Sequence, residues 1–140
     1  MRVLVTGSSG LLGSALVPLL TQDGNQVYDI TSKECNLLHK EQVLTIFAYL
    51  QPTHVVHLAA RVGGLFDNLE NNMQFFEQNV AINTNVLSTC KNLQSVKKVI
   101  SCMSTCIFPS DAPLPLTTAN LHNGLPHFRY LHRQPRQTHG

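Results

Sequence analysis

Arg2-Val3-Leu4-Val5-Thr6-Gly7-Ser8-Ser9-Gly10-Leu11-Leu12-Gly13 is the stretch from which the fold of this 140-residue chain is read. A short, branched apolar run from Arg2 to Val5 enters a glycine turn, and Leu16, Leu19 and Leu20 follow at helical spacing. That order predicts a strand, a tight turn and a helix, with a break at Asp23-Gly24-Asn25. In this setting Gly7 makes the turn, Gly10 lets the backbone approach a pyrophosphate, and Gly13 permits close packing of the helix. The helix N-terminus adds amide donors and the positive end of its dipole. Gly7, Ser8, Ser9, Gly10, Leu11, Leu12 and Gly13 are therefore expected to bind the phosphates of a dinucleotide, although their spacing is GxxGxxG rather than GxGxxG.

Outward from this turn, the pattern repeats. A second strand is expected at Gln26 to Ile30, a polar loop at Thr31 to Asn36, and a helix at Glu41 to Leu50 with Val43, Leu44, Phe47 and Leu50 on one face. Pro52 stops that helix. His54 to Leu58 reads as a third strand, the segment from Asn72 to Leu93 as a long helix packed on the sheet, and Val96 to Met103 as a fourth strand. Strands that are nearly continuously apolar, alternating with helices, predict a Rossmann-like parallel α/β sheet with flanking helices, truncated to the first four βα units. Residues 1–109 form the expected dinucleotide-binding domain, in part. Beyond Pro109 the prolines at 113, 115, 126 and 135 interrupt every period, so 110–140 reads as a loop and an irregular, disordered tail.

Composition narrows the function. A formal charge of +2 is too small to suggest a nucleic-acid partner, and no apolar run is long enough for a membrane span. The start of the chain lacks a signal-peptide layout, so a cytoplasmic protein is expected. Cys35, Cys90, Cys102 and Cys106 form no CxxC pair and no metal-ligand spacing, which argues for reduced thiols, with neither zinc nor disulfides.

The cofactor type depends on the end of the second strand, where an acid accepts from a ribose hydroxyl and a cation pairs with a 2′-phosphate. Asp29 and Lys33 are both near it; Lys33 tilts the choice toward NADP, its alternative being an ordinary solvated lysine. Leu58, Ala59 and Ala60 close the third strand, and the small alanines leave room for a cofactor along the carboxyl edge of the sheet. His57 reads as a packed histidine rather than a base, and Val62-Gly63-Gly64 as backbone able to approach a substrate or cofactor. Ser104, Thr105 and Cys106 follow the fourth strand, where side chains reach the ligand crevice. The Ser104 hydroxyl can bond a carbonyl or alkoxide during hydride transfer, and the Cys106 thiol can exchange a proton with an acidic carbon, or else fill the core as Cys102 is expected to do.

Taken together, the segments Met1 to Gly13, Gln51 to Ala60, Val62 to Phe66, Asn79 to Leu87, Ser101 to Pro109 and His122 to Gly124 resemble the extended short-chain dehydrogenase/reductase family. The resemblance, over roughly residues 1–127, is to its branch that epimerises GDP-4-keto-6-deoxy-D-mannose at C3 and C5 and reduces C4 with NADPH, giving GDP-L-fucose. It implies Ser104 as the catalytic serine, Cys106 as the thiol that shuttles protons during epimerisation, and NADP as cofactor. It also implies dimers through helices near Asn72 to Leu93, of this chain with itself or with a full-length relative.

The chain departs from that family as well. The family's Tyr-x-x-x-Lys pair should begin near position 133, where Arg133 stands; Tyr130 is followed four residues on by Gln134, and no lysine follows Lys98. Thr117-Thr118 replaces an acidic pair, and the tail from His127 resembles nothing in the family. The expectation is an epimerase/reductase by resemblance that is inactive as this truncated chain. The alternative is a catalytically dead NADP-binding fragment acting as a regulatory partner of a full-length enzyme.

Overall fold

The computed structural model describes residues 1–104, 107–109 and 111–124, the side chains at 65, 68 and 69 excepted. They fall in two compact units, Met1–Cys102 and Met103–Gly140. The first contains β1 (Arg2–Thr6), α1 (Leu11–Gln22), β2 (Gln26–Ile30), α2 (Lys40–Leu50), β3 (His54–His57), α3 (Leu65–Glu70), α4 (Asn72–Asn92) and β4 (Lys98–Ser101). All the strands are parallel, in the order β2-β1-β3-β4. The register sets Leu4 opposite Tyr28 and Val55, and Val55 opposite Val99.

Because side chains alternate across a strand, each face of the sheet collects its own core. Leu4 and Val55 point to one side, where Val43 and Phe47 of α2 and Ile82, Val86 and Cys90 of α4 close over them. Val3, Val5 and Val56 point to the other, against Leu16, Val17 and Leu20 of α1. Burial on both faces is what the continuous apolar runs of β1 and β3 require. The expected parallel α/β sheet of four βα units is the observed one.

Several boundaries differ from expectation for local reasons. The fourth strand is Lys98–Ser101 rather than Val96 to Met103, since Val96 N–H bonds to Leu93 O in the turn leaving α4. Cys102 is exposed rather than in the core, because it lies past the end of β4, which within this unit pairs with β3 alone. Ile100, on that strand, is half exposed. The short α3 carries no period long enough to be read from sequence. Among the described residues no helix is long and apolar enough to cross a membrane.

In the second unit, where no period was expected, Thr118–Asn120 forms a 3₁₀ turn capped by Thr117, whose N–H and hydroxyl both donate to Asn120 Oδ1 at 2.9 Å. A Cβ on Gly124 would meet the Pro109 ring at 3.2 Å, so these two turns pack together. Cys106, Tyr130, Arg133 and the rest of the expected tail beyond 124 lie outside the described residues.

Candidate dinucleotide site

The carboxyl ends of β1, β2 and β3 lie side by side, and the turn after β1 is the tightest feature there. Gly7 has φ +72°, and a Cβ on it would stand 2.8 Å from Ala59 N and 2.9 Å from Ala59 Cα. A side chain is excluded both by the left-handed backbone and by the backbone leaving β3. A Cβ on Gly13 would come within 2.6 Å of Ser8 Cα, so α1 packs directly onto its own entry turn. Gly10 begins α1 in extended conformation without any side-chain cap, leaving the first amides of the helix to be satisfied from outside.

Over this turn lies a cavity of about 450 Å³. Gly7, Ser9, Gly10, Leu11, Leu12 and Gly13 form one wall, and Leu58, Ala59 and Ala60 another, so the structure brings these nine residues together around one cavity. Val62, read from the sequence as backbone able to approach a substrate or cofactor, is also in the wall; the rest was not foreseen: Ile30 at the end of β2, Thr31 and Ser32 after it, Cys35 to Leu38, Arg61 and Ile82. The apolar pair Leu37-Leu38 in an otherwise polar loop was the available signal. Arg61 had no local signal.

Two expected cofactor residues do not line the cavity. Ser8 is buried, its hydroxyl donating to Ile30 O at 3.4 Å, so it ties the glycine turn to β2. Lys33 is exposed in a turn where the Glu34 carboxylate accepts from the Thr31 N–H at 2.7 Å and from its hydroxyl. Those hydrogen bonds, aided by nearby Lys33, hold the Glu34 carboxyl below its usual range. Asp29 is likewise outside, on β2 opposite Val5. No carboxylate is among the described residues that line the cavity.

His57 is packed, as expected. It is 2% exposed, its Nδ1 lies 2.7 Å from Thr6 Oγ1, and that oxygen also accepts the Ala59 N–H at 3.3 Å. Burial pushes its pKa down, partly opposed by the neighbouring Asn83 side chain. The imidazole therefore joins the ends of β1 and β3 as a neutral ring. Burial also raises the thiols of Cys35 and Cys90, the latter to about 11, which keeps both as unreactive core groups.

The loop after β3 is held from α4. Arg61 N–H donates to Asn79 Oδ1 at 2.8 Å, and Asn79 Nδ2 donates back to Arg61 O at 3.0 Å. The Arg61 guanidinium stacks on Phe75, 4.6 Å from the ring centre. Gly63 is where the loop meets its own protein, since a Cβ there would stand 2.6 Å from Phe75 Cζ. Val62, not Gly63 or Gly64, lines the cavity. Ser104 lies in the second unit, where its carbonyl accepts from Ile107 N–H at 3.4 Å.

Comparison with known proteins agrees with this architecture. GDP-L-fucose synthase of Dictyostelium discoideum is 45% identical over 128 residues, covering 89% of this chain and 40% of that protein. A probable GDP-L-fucose synthase of Drosophila melanogaster is 44% identical over 129 residues, covering 90% and 40%. The crystal structure of a GDP-L-fucose synthetase from Naegleria fowleri bound to NADP superposes with a TM-score of 0.79 at 39% identity, covering 92% of this chain and 42% of that one. The NADP-bound GDP-mannoheptose C4 reductase of Campylobacter jejuni gives 0.81 at 27% identity, covering 91% and 40%. The chain thus spans about two-fifths of the length of these relatives. With residues 3–130 matching its pattern and the glycine turn and sheet in place, the chain belongs to the NAD dependent epimerase/dehydratase family.

Proposed function

We propose that this chain is the cofactor-binding part of an NADP(H)-dependent oxidoreductase/epimerase acting on a GDP-linked sugar. The reaction we assign is conversion of GDP-4-keto-6-deoxy-D-mannose to GDP-L-fucose. The observation that carries the reading is the cavity over the glycine turn, with a cradle at Gly7 that any Cβ would fill and an uncapped α1 N-terminus facing it. Gly7, Ser9, Gly10, Leu11, Leu12 and Gly13 would hold the pyrophosphate through backbone amides, with Ser8 keeping the turn against β2. Leu58, Ala59 and Ala60 would take the cofactor along the sheet edge. NADP fits better than NAD because the described walls carry no carboxylate to repel a 2′-phosphate. Lys33, close to the end of β2, would reach that phosphate by its flexible stem from outside the cavity wall.

Bound NADPH would supply the hydride for C4 reduction. In that step the Ser104 hydroxyl would hydrogen-bond the sugar C4 oxygen; before it, while the C4 ketone keeps the neighbouring carbons acidic, the Cys106 thiol would exchange a proton with C3 and C5. The sequence contains no Tyr-x-x-x-Lys, so the group that protonates the C4 oxygen in the resembling enzymes has no counterpart here. This favours a second reading, an NADP-binding protein without turnover of its own that pairs with a full-length relative. Calorimetric titration of the 140-residue chain with NADPH, with circular dichroism to establish its folding, tests the first part. Saturable binding is expected; a folded chain that ignores NADPH refutes the proposal. Assay with the sugar nucleotide, alone and with a full-length relative, separates the two readings.

A further inference from the structure

We infer that Arg61 is an anion-binding residue of this cavity, its guanidinium donating hydrogen bonds to a phosphate group of the bound dinucleotide. The inference rests on the dinucleotide reading above and adds a residue to it.

Charge makes the first argument. Of the described residues that line the cavity, Arg61 alone carries a formal charge; the others are glycine, alanine, aliphatic, hydroxyl, amide or thiol residues. A dinucleotide brings a doubly charged pyrophosphate bridge, and NADP brings a further phosphate. Backbone amides and the end of α1 offer only about half an elementary charge against these. Arg61 is therefore the one source of a full positive charge among the described lining residues, and the strongest electrostatic feature the ligand could meet there. The expected cation, Lys33, is not part of that wall.

Construction makes the second argument. The Arg61 backbone is gripped on both sides by one amide, that of Asn79, at 2.8 and 3.0 Å. Its guanidinium lies on the face of Phe75, 4.6 Å from the ring centre. Stacking leaves the N–H fork in the plane of the group available to an acceptor, and a planar fork matches two phosphate oxygens at once. A residue held at its backbone and at its guanidinium in this way loses little freedom when it binds. Had the arginine served only to cover Phe75, an uncharged side chain of similar length would do as well, and that is what the test examines.

The full chain and its Arg61→Met and Arg61→Lys variants would be titrated with NADPH and with NADH at low and moderate salt, with thermal melts to verify folding. Arg61→Met is expected to weaken NADPH binding at least about tenfold and to flatten its salt dependence, with Arg61→Lys recovering part of the loss. Equal losses for the two cofactors would assign the contact to the pyrophosphate; a loss for NADPH alone would assign it to the 2′-phosphate. Phenylglyoxal modification of the unmutated chain, mapped by mass spectrometry, gives a readout independent of variant folding. NADPH should slow modification of Arg61 at least about tenfold while leaving Arg2 unchanged. Undiminished affinity in Arg61→Met, or an Arg61 that stays reactive at saturating NADPH, overturns the inference while leaving the dinucleotide reading intact. A folded wild-type chain that binds neither cofactor overturns both.

Discussion

Replacing Gly7 by alanine separates two costs that glycine turns usually confound. An L-residue at φ +72° costs about 1–2 kcal/mol from backbone sterics alone. At Gly7 the added methyl also meets backbone: Ala59 N at 2.8 Å, Ala59 Cα at 2.9 Å and Leu58 C at 3.0 Å. None of these is the far end of a flexible side chain, so relief requires moving the strand exit itself, an overpacking cost of about 1–3 kcal/mol. Gly24 provides the control, with φ +76° and nothing within 4 Å of its virtual Cβ. Gly24→Ala should thus lose only the backbone cost, and Gly7→Ala about 1–3 kcal/mol more. Urea unfolding followed by circular dichroism, with equal m-values as the check on two-state behaviour, reads the difference. Gly7→Ala should also weaken NADPH binding, while Gly24→Ala leaves it unchanged. Equal destabilisation by the two substitutions would refute the claim that Gly7 is fixed by its contact with the β3 exit.

Three further outcomes are expected. Because burial lowers the His57 pKa in the folded chain, the unfolded chain binds its proton first, at about pH 6.5. Stability is then full above about pH 6.5 and falls as the pH drops through the folded value; His57→Gln should flatten that decline in urea titrations, and an unchanged slope would reject the assignment. Asn79→Ala removes both hydrogen bonds to the Arg61 backbone and should cost about 1–3 kcal/mol, with a parallel loss of NADPH affinity; unaltered affinity would show that the loop keeps its shape without the clamp. Iodoacetamide should label exposed Cys102 rapidly and buried Cys35 and Cys90 only on unfolding, and equal labelling rates at the three would contradict their burial.

Local pattern carries much of this molecule. The apolar run at β1, the glycines at 7, 10 and 13, and the stops at Gly24 and Pro52 are signals between neighbours in sequence, and β2 was legible to the residue at Gln26–Ile30. Parallel pairing follows from strands that are apolar on both faces. The family resemblance of the opening segment was legible too, because its glycines answer to a steric need that few other arrangements share.

Which side chains share the cavity is a different kind of information. Ser8 lies within the expected binding run, yet its hydroxyl turns to Ile30 O, a partner 22 residues away. Arg61 joins the wall because Asn79, 18 residues on, holds its backbone, while Lys33 stays outside. Cys102 alternates like a core residue but falls past the last paired position of β4. The sequence by itself determined the elements and the glycine turn, since helical period, branched runs and turn residues act over a few neighbours. Only the tertiary structure decided the walls of the site, because register and packing between distant segments determine which side chain meets the cavity and which meets its own protein.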